Sequence, residues 1–193
     1  MKTSLIILLF CITQIAFSQT QEKGHKYGIS FGIGNSDVLR KALDGGPSFD
    51  GLASYDVGFS YDHLLMKQLY LETGLHANFT KIEVTPNFYP GMDMTPKSYN
   101  MGLLYIPVNL RLEFMKYWFI NGGLLANMDL STNSGISSQT GFGADLGFGV
   151  KIPVFNYCRI YINPYLAFRG MALFSADTYP TRLIDSGVKI VVR

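Results

Sequence analysis

The chain has 193 residues with a formal net charge of +2, and 48% of the residues are hydrophobic, a length and composition that fit one folded domain. It contains no basic block interleaved with aromatic residues, which excludes nucleic acid as a partner. The 20 glycines, 12 tyrosines and 14 phenylalanines favour β-structure over helix.

The N-terminal segment has the three parts of a secretory signal peptide. Lys2 supplies the charge, the span from Leu5 to Ile15 forms the apolar centre, and Ala16-Phe17-Ser18 forms a small-residue exit. An uncleaved anchor would need roughly 20 apolar residues, and this centre is too short. We therefore expect cleavage after Ser18, which divides the chain into a signal peptide, 1–18, and one domain, 19–193.

Eight segments of the domain alternate large apolar residues with glycine or polar residues. The clearest is the run from Tyr27 to Gly34, whose period of two is typical of a β-strand with two different faces. The predicted strands are 26–35, 52–63, 69–80, 99–113, 117–130, 140–151, 159–169 and 182–193. The connections between them are alternately long and short, as in up-and-down antiparallel barrels of the outer membrane. This pattern predicts that the long loops lie outside the cell and both termini in the periplasm.

The two faces of the predicted strands differ in charge. One face carries large apolar residues, represented in the second strand by Tyr55, Val57 and Phe59. The other face carries the ionisable residues Asp56, Asp62, Glu72, His76, Arg111, Glu113, Asp129, Asp145, Lys151, Arg169, Asp185, Lys189 and Arg193. A charge that faces hydrocarbon at the membrane midplane costs about 2–4 kcal/mol, so the charged face is expected inside the barrel.

An eight-stranded barrel is only wide enough for its inward side chains to fill it, so we expect no open channel. Acidic and basic groups buried together in near balance indicate ion pairs and hydrogen bonds. The predicted interior polar network comprises Asp56, Glu72, His76, Arg111, Glu113, Asp145, Lys151, Arg169, Asp185 and Lys189. We interpret it as a plug that sets register and rigidity; a gated proton or ion path is the alternative.

A soluble lipocalin-like carrier shows the same alternation with the faces exchanged. Four or five large apolar side chains from each of eight strands would overfill its interior. The sequence therefore favours a transmembrane barrel in the outer membrane of a Gram-negative cell.

Motifs for chemistry are weak in this chain. The glycines between Gly141 and Gly147 lack the spacing and the following helix of a dinucleotide site. His25, His63 and His76 are far apart in sequence without cysteine or carboxylate at metal-ligand spacing, so no metal and no cofactor is expected. No Gly-x-Ser-x-Gly motif is present, and no catalytic residue is predicted.

The sequence resembles the PorT-like outer-membrane β-barrel proteins and, more loosely, the small OmpX-type barrels. The matching segments are Leu104-Tyr105-Ile106-Pro107-Val108, Asn121-Gly122-Gly123 and Gly143-Ala144-Asp145-Leu146-Gly147-Phe148-Gly149, and the overall pattern covers residues 24–193. The resemblance implies an eight-stranded antiparallel barrel inserted by the barrel-assembly machinery. Such barrels commonly end on an aromatic residue, whereas this chain ends on Arg193.

The leading functional hypothesis is a non-enzymatic outer-membrane barrel with a structural role or a role in binding through its loops, 36–51, 81–98 and 170–181. Its partners would be outer-membrane lipid, the assembly machinery and envelope or secretion proteins. The alternatives are a PorT-like accessory of a protein secretion apparatus, an outer-membrane lipid hydrolase and a soluble carrier.

Overall fold

Eight antiparallel strands form a closed ring of backbone hydrogen bonds in the computed structural model, which describes residues 24–39, 48–86, 95–131, 136–155, 158–174 and 181–193. The strands are β1 (His25–Leu39), β2 (Ser48–Met66), β3 (Leu69–Thr85), β4 (Lys97–Phe114), β5 (Trp118–Asp129), β6 (Gly141–Phe155), β7 (Cys158–Leu173) and β8 (Arg182–Val192). Each strand pairs with its sequence neighbours, and β1 also pairs with β8. The predicted eight-stranded up-and-down antiparallel barrel is confirmed. The predicted signal peptide lies outside the described residues.

The two ends of the barrel have different connections. Residues 67–68, 115–117 and 156–157 join consecutive strands at one end, where β1 begins and β8 ends. We call this the turn end. The strand ends that the longer connections join, namely 40–47, 86–96, 130–140 and 174–181, lie at the opposite end, which we call the loop end. No helix within the described residues is long and apolar enough to cross a membrane.

The exterior of the barrel carries large apolar side chains at outward-facing positions of every strand, which alternate with inward-facing ones. Ile29 is 67% exposed, Leu124 62% and Leu146 60%. Near the turn end, aromatic rings lie beside one another on this exterior, with 5.2 Å between the ring centres of Trp118 and Phe148. An apolar surface with aromatic residues at its rim suits a bilayer. The apolar face of each strand is outside and the charged face is inside, which is the reverse of a soluble carrier. The structure therefore has the form of a transmembrane β-barrel.

The strands extend further toward the loop end than predicted. Residues 36–39, 48–51, 81–85, 97–98 and 170–173 belong to strands, which corrects the predicted loops 36–51, 81–98 and 170–181. In β3 and β4 the reason is that apolar side chains face inward and polar side chains face outward near the loop end. Lys81 points outward, whereas Ile82 and Leu183 are completely buried inside. A prediction that requires apolar side chains outside and polar side chains inside along the whole strand therefore ends these strands too early.

Candidate functional site in the barrel interior

Arg111 is the centre of an ionic cluster near the turn end of the barrel. Its side chain is 1% exposed, and its Nη2 donates a 2.5 Å hydrogen bond to Asp62 Oδ2. Its Nη1 lies 3.6 Å from Glu72 Oε2, and its Nε lies 3.4 Å from Glu113 Oε1. Every edge of the guanidinium group therefore faces a carboxylate, which is the arrangement that a buried arginine requires.

The faces of the same guanidinium are covered by aromatic rings. The Arg111 Cζ lies 4.8 Å from the ring centre of Tyr70 and 4.7 Å from that of Tyr161. Both distances are within the range of cation–π attraction. The two rings hold the planar group in one orientation, in which Nη2 donates to Asp62 while Nε and Nη1 lie near carboxylates without a hydrogen bond.

Arg193, the C-terminal residue, completes this cluster. Its Nη1 lies 2.8 Å from Asp62 Oδ2, and its Nη2 donates a 2.7 Å hydrogen bond to Glu72 Oε1. Glu113 pairs in addition with Lys151 and accepts a 3.2 Å hydrogen bond from the Tyr161 hydroxyl. We call the six charged residues of this region the turn-end cluster; they are Asp62, Glu72, Arg111, Glu113, Lys151 and Arg193. The three carboxylates and the three cations alternate in this cluster, and a further cation, Lys26, lies close by, with its Nζ 3.4 Å from the Tyr70 hydroxyl.

A second group, the central cluster, consists of Asp56, His76, Tyr105 and Lys189. Asp56 accepts a 2.6 Å hydrogen bond from the Tyr105 hydroxyl, and its other oxygen lies 3.6 Å from Lys189 Nζ. Lys189 Nζ also donates to the Tyr105 hydroxyl at 2.9 Å. His76 Nδ1 is 3.4 Å from Asp56 Oδ1 and 3.1 Å from Ser30 Oγ. The Tyr105 hydroxyl therefore bridges the Asp56 carboxylate and the Lys189 ammonium group.

Arg169 and Asp185 form a third ionic contact, closer to the loop end. They are directly paired. Asp185 also accepts a 2.6 Å hydrogen bond from Ser36, and Arg169 Nη1 donates to Asn127 Oδ1 at 3.0 Å. The guanidinium lies 4.4 Å from the ring centre of Tyr105, which places this pair directly above the central cluster.

An apolar layer follows at the loop end of the interior. Ile82, Met101, Leu103 and Leu183 are each at most 2% exposed and pack against one another. Val38, Val84 and Ile136 pack around them. The alternation of apolar outward and polar inward residues predicts polar interior side chains here, so it does not predict this layer. We call these seven residues the apolar cap.

Of the acidic residues in the predicted network, only Asp145 has no ion pair with a cation among the described residues. It accepts a 2.9 Å hydrogen bond from Asn109 Nδ2. Lys151 pairs with Glu113, and Lys189 lies beside Asp56. Asp62 and Arg193 are central to the turn-end cluster, although they are absent from the predicted network. Both residues occupy inward-facing positions of the predicted strands, and this alternation is the sequence signal that could have identified them.

Ser30, His76 and Asp56 are the residue types of a hydrolase triad, and all three are buried inside the barrel. In a triad, one imidazole nitrogen accepts from the serine while the other donates to the carboxylate. Here the serine and the carboxylate both contact Nδ1 of His76. Ser30 is completely buried. The three residues thus form a hydrogen-bonded group with a geometry that differs from a proton relay.

No protein-family model matches this chain, and no curated protein matches its sequence. Among solved structures, the chain is similar to the outer membrane protein AlkL, determined by solid-state NMR in DMPC lipid bilayers. The TM-score is 0.45 with 8% sequence identity, over 91% of this chain and 94% of AlkL.

Proposed function

We propose that this protein is a non-enzymatic outer-membrane β-barrel that acts as a rigid scaffold for its loop-end connections. The apolar exterior, the closed ring of strands and the signal-like N-terminus support the location. The observation that carries the proposal is the interior, where the turn-end cluster, the central cluster, the Arg169–Asp185 pair and the apolar cap follow one another along the barrel.

This filling argues for a structural role and against transport through the lumen. The largest buried side chains include Arg111, Arg169, Tyr161 and Phe119, each at most 1% exposed. Opening a path would separate ion pairs and leave buried charges without partners, at a cost of about 3–5 kcal/mol for each broken pair. Binding would then take place outside the barrel wall, through connections that a rigid wall positions.

Conductance across a planar lipid bilayer tests the closed lumen. The purified protein, shown to be folded by its heat-dependent mobility in SDS gels, is expected to give no stepwise current. A small porin reconstituted in parallel serves as the positive control. Discrete channels from the folded protein would contradict the proposed role.

The role of the loops can be separated from that of the barrel by cross-linking in whole cells. We expect envelope proteins to cross-link to the wild type and to be lost when residues 40–47 or 87–94 are replaced by glycine-serine segments of the same length. Replacement of the turn 67–68 is the matched control and should leave the cross-links unchanged. Subunits of a secretion apparatus among these proteins would favour the PorT-like alternative.

The lipid hydrolase alternative is tested separately. Incubation of the folded barrel with lipopolysaccharide and phospholipid is expected to release no acyl chain, because Ser30 is completely buried and shares one imidazole nitrogen with Asp56. Acyl release by the wild type that Ser30→Ala abolishes would establish an enzyme.

A further inference from the structure

Two histidines that are distant in sequence meet on the outside of the barrel. His25 and His63 are direct cross-strand partners of β1 and β2 at the turn end. Their Nδ1 atoms are 3.3 Å apart, and their ring centres are 4.9 Å apart. The large separation of these residues along the chain argued against a metal site, and folding brings them together.

The pair lies at the water-facing edge of the barrel wall. The next outward-facing residues toward the membrane are Tyr27 and Tyr61, whose ring centres are 5.2 Å apart. Tyrosine rings on a barrel exterior favour the headgroup layer. His25 is exposed and His63 is partly exposed, so ions can reach them from solution.

The distance between the two nitrogens matches the coordination of a tetrahedral cation. Zn²⁺ binds imidazole nitrogen at about 2.0–2.1 Å, so two such nitrogens on one tetrahedral ion lie roughly 3.3 Å apart. The observed 3.3 Å separation of the two Nδ1 atoms equals this distance. The Tyr61 hydroxyl lies 2.6 Å from His25 Nδ1 and is not one of the proposed ligands.

We propose that His25 and His63 form a two-histidine Zn²⁺ site on the turn-end rim, in which the metal holds β1 against β2. Among the described residues, no group of three or more histidine, cysteine or acidic side chains is placed to hold a metal. The ion therefore keeps two coordination positions for water or for an outside ligand, as in zinc sites that are not closed by protein. This proposal is independent of the function proposed above.

Isothermal titration calorimetry with ZnCl₂ tests the site on protein that is purified without a histidine tag, stripped with EDTA and folded in detergent micelles. We expect one Zn²⁺ per barrel. His25→Gln and His63→Gln should each weaken binding by on the order of 100-fold, because the second ligand of a chelate binds intramolecularly. The double variant should be little weaker than either single variant.

Two further variants serve as matched controls. His76→Gln removes the remaining histidine of the described residues, which lies inside the barrel, and should retain rim binding if the heat-dependent gel shift shows that it is folded. Tyr61→Phe keeps both imidazoles and should bind Zn²⁺ within about threefold of the wild type. Zn²⁺ binding that survives in the folded His25→Gln and His63→Gln variants, or the absence of Zn²⁺ binding by the wild type, would overturn the proposal.

Discussion

At the level of single residues, Arg111 shows how a charge can be accommodated inside a membrane barrel. Three carboxylates lie at the edges of its guanidinium and two tyrosine rings lie on its faces. The planar fork of arginine makes such simultaneous contacts, and the ammonium of lysine cannot reproduce them. The residue therefore joins β2, β3, β4 and β7 through contacts made by one side chain.

We expect Arg111→Met to destabilise the barrel by about 3–5 kcal/mol, since it leaves buried carboxylates without their shared cation. Arg111→Lys should lose less, because it retains the charge while losing the fork and the stacking. Urea unfolding in lipid vesicles measures both free energies of unfolding. Lys116→Ala, in the exposed turn 115–117, is the control and should stay within about 0.5 kcal/mol of the wild type. An Arg111→Met barrel as stable as this control would show that the cluster contributes little.

The sequence predicts which residues face inward but not which of them become partners. Lys189 lies beside Asp56 of β2, although Asp185 is the acidic residue in its own strand. Parity depends only on position along one strand, whereas this contact depends on the registers of β8 with β1 and of β1 with β2. Gly32 is the residue of β1 that pairs with both Lys189 and Asp56.

At the level of the strands, the arrangement of Gly32 between Lys189 and Asp56 recurs at other inward glycines. An inward glycine lies between two polar residues of the flanking strands, which then bond to each other across it. Gly58 separates Ser30 from His76, which are 3.1 Å apart. Gly123 separates Asn109 from Asp145, which are 2.9 Å apart. The inward glycines therefore allow hydrogen bonds between strands that are not neighbours.

Alanine at Gly58 tests this role. Its Cβ would lie 2.3 Å from His76 Nδ1 and 2.4 Å from His76 Cγ, so the ring would have to move away from Ser30 and Asp56. We expect a loss of about 1–3 kcal/mol, the usual cost of overpacking. Gly102→Ala is the matched control, because the nearest atom to its Cβ would be Phe79 Cδ1 at 3.8 Å.

The control variant should be neutral or stabilising by about 0.5–1 kcal/mol, since glycine in a strand costs conformational entropy. Urea unfolding of the two variants in vesicles measures the difference. Equal stability of Gly58→Ala and Gly102→Ala would contradict the proposed use of inward glycines.

At the level of the whole molecule, the polarity of the exterior defines where the bilayer lies. The middle of β5 is apolar outside, whereas the loop-end parts of β1 and β3 carry Asp37, Lys81 and Glu83 there, and the apolar cap fills the interior at this end. Along most of the wall, the exterior is apolar and suits a bilayer. At the loop end, the exterior carries charged residues and the interior is apolar, as in a soluble protein.

Arginine substitutions on β5 and at its end measure this boundary. Leu124→Arg, at a position 62% exposed in mid-strand, should cost about 2–4 kcal/mol. Leu130→Arg, at a position 55% exposed just beyond the same strand, should cost at most about 1 kcal/mol. Folding stability in lipid vesicles provides the comparison. Equal costs at the two positions would place the bilayer elsewhere.

The sequence by itself determined the number of strands, their order and the outward or inward direction of their side chains across the membrane. A period of two along each segment and the cost of a charge in lipid are sufficient for that result. The tertiary structure alone decided which charges pair, where the strands end at the loop end, and that His25 meets His63. Those features depend on the register between strands and on closure of β8 onto β1, which no local pattern specifies.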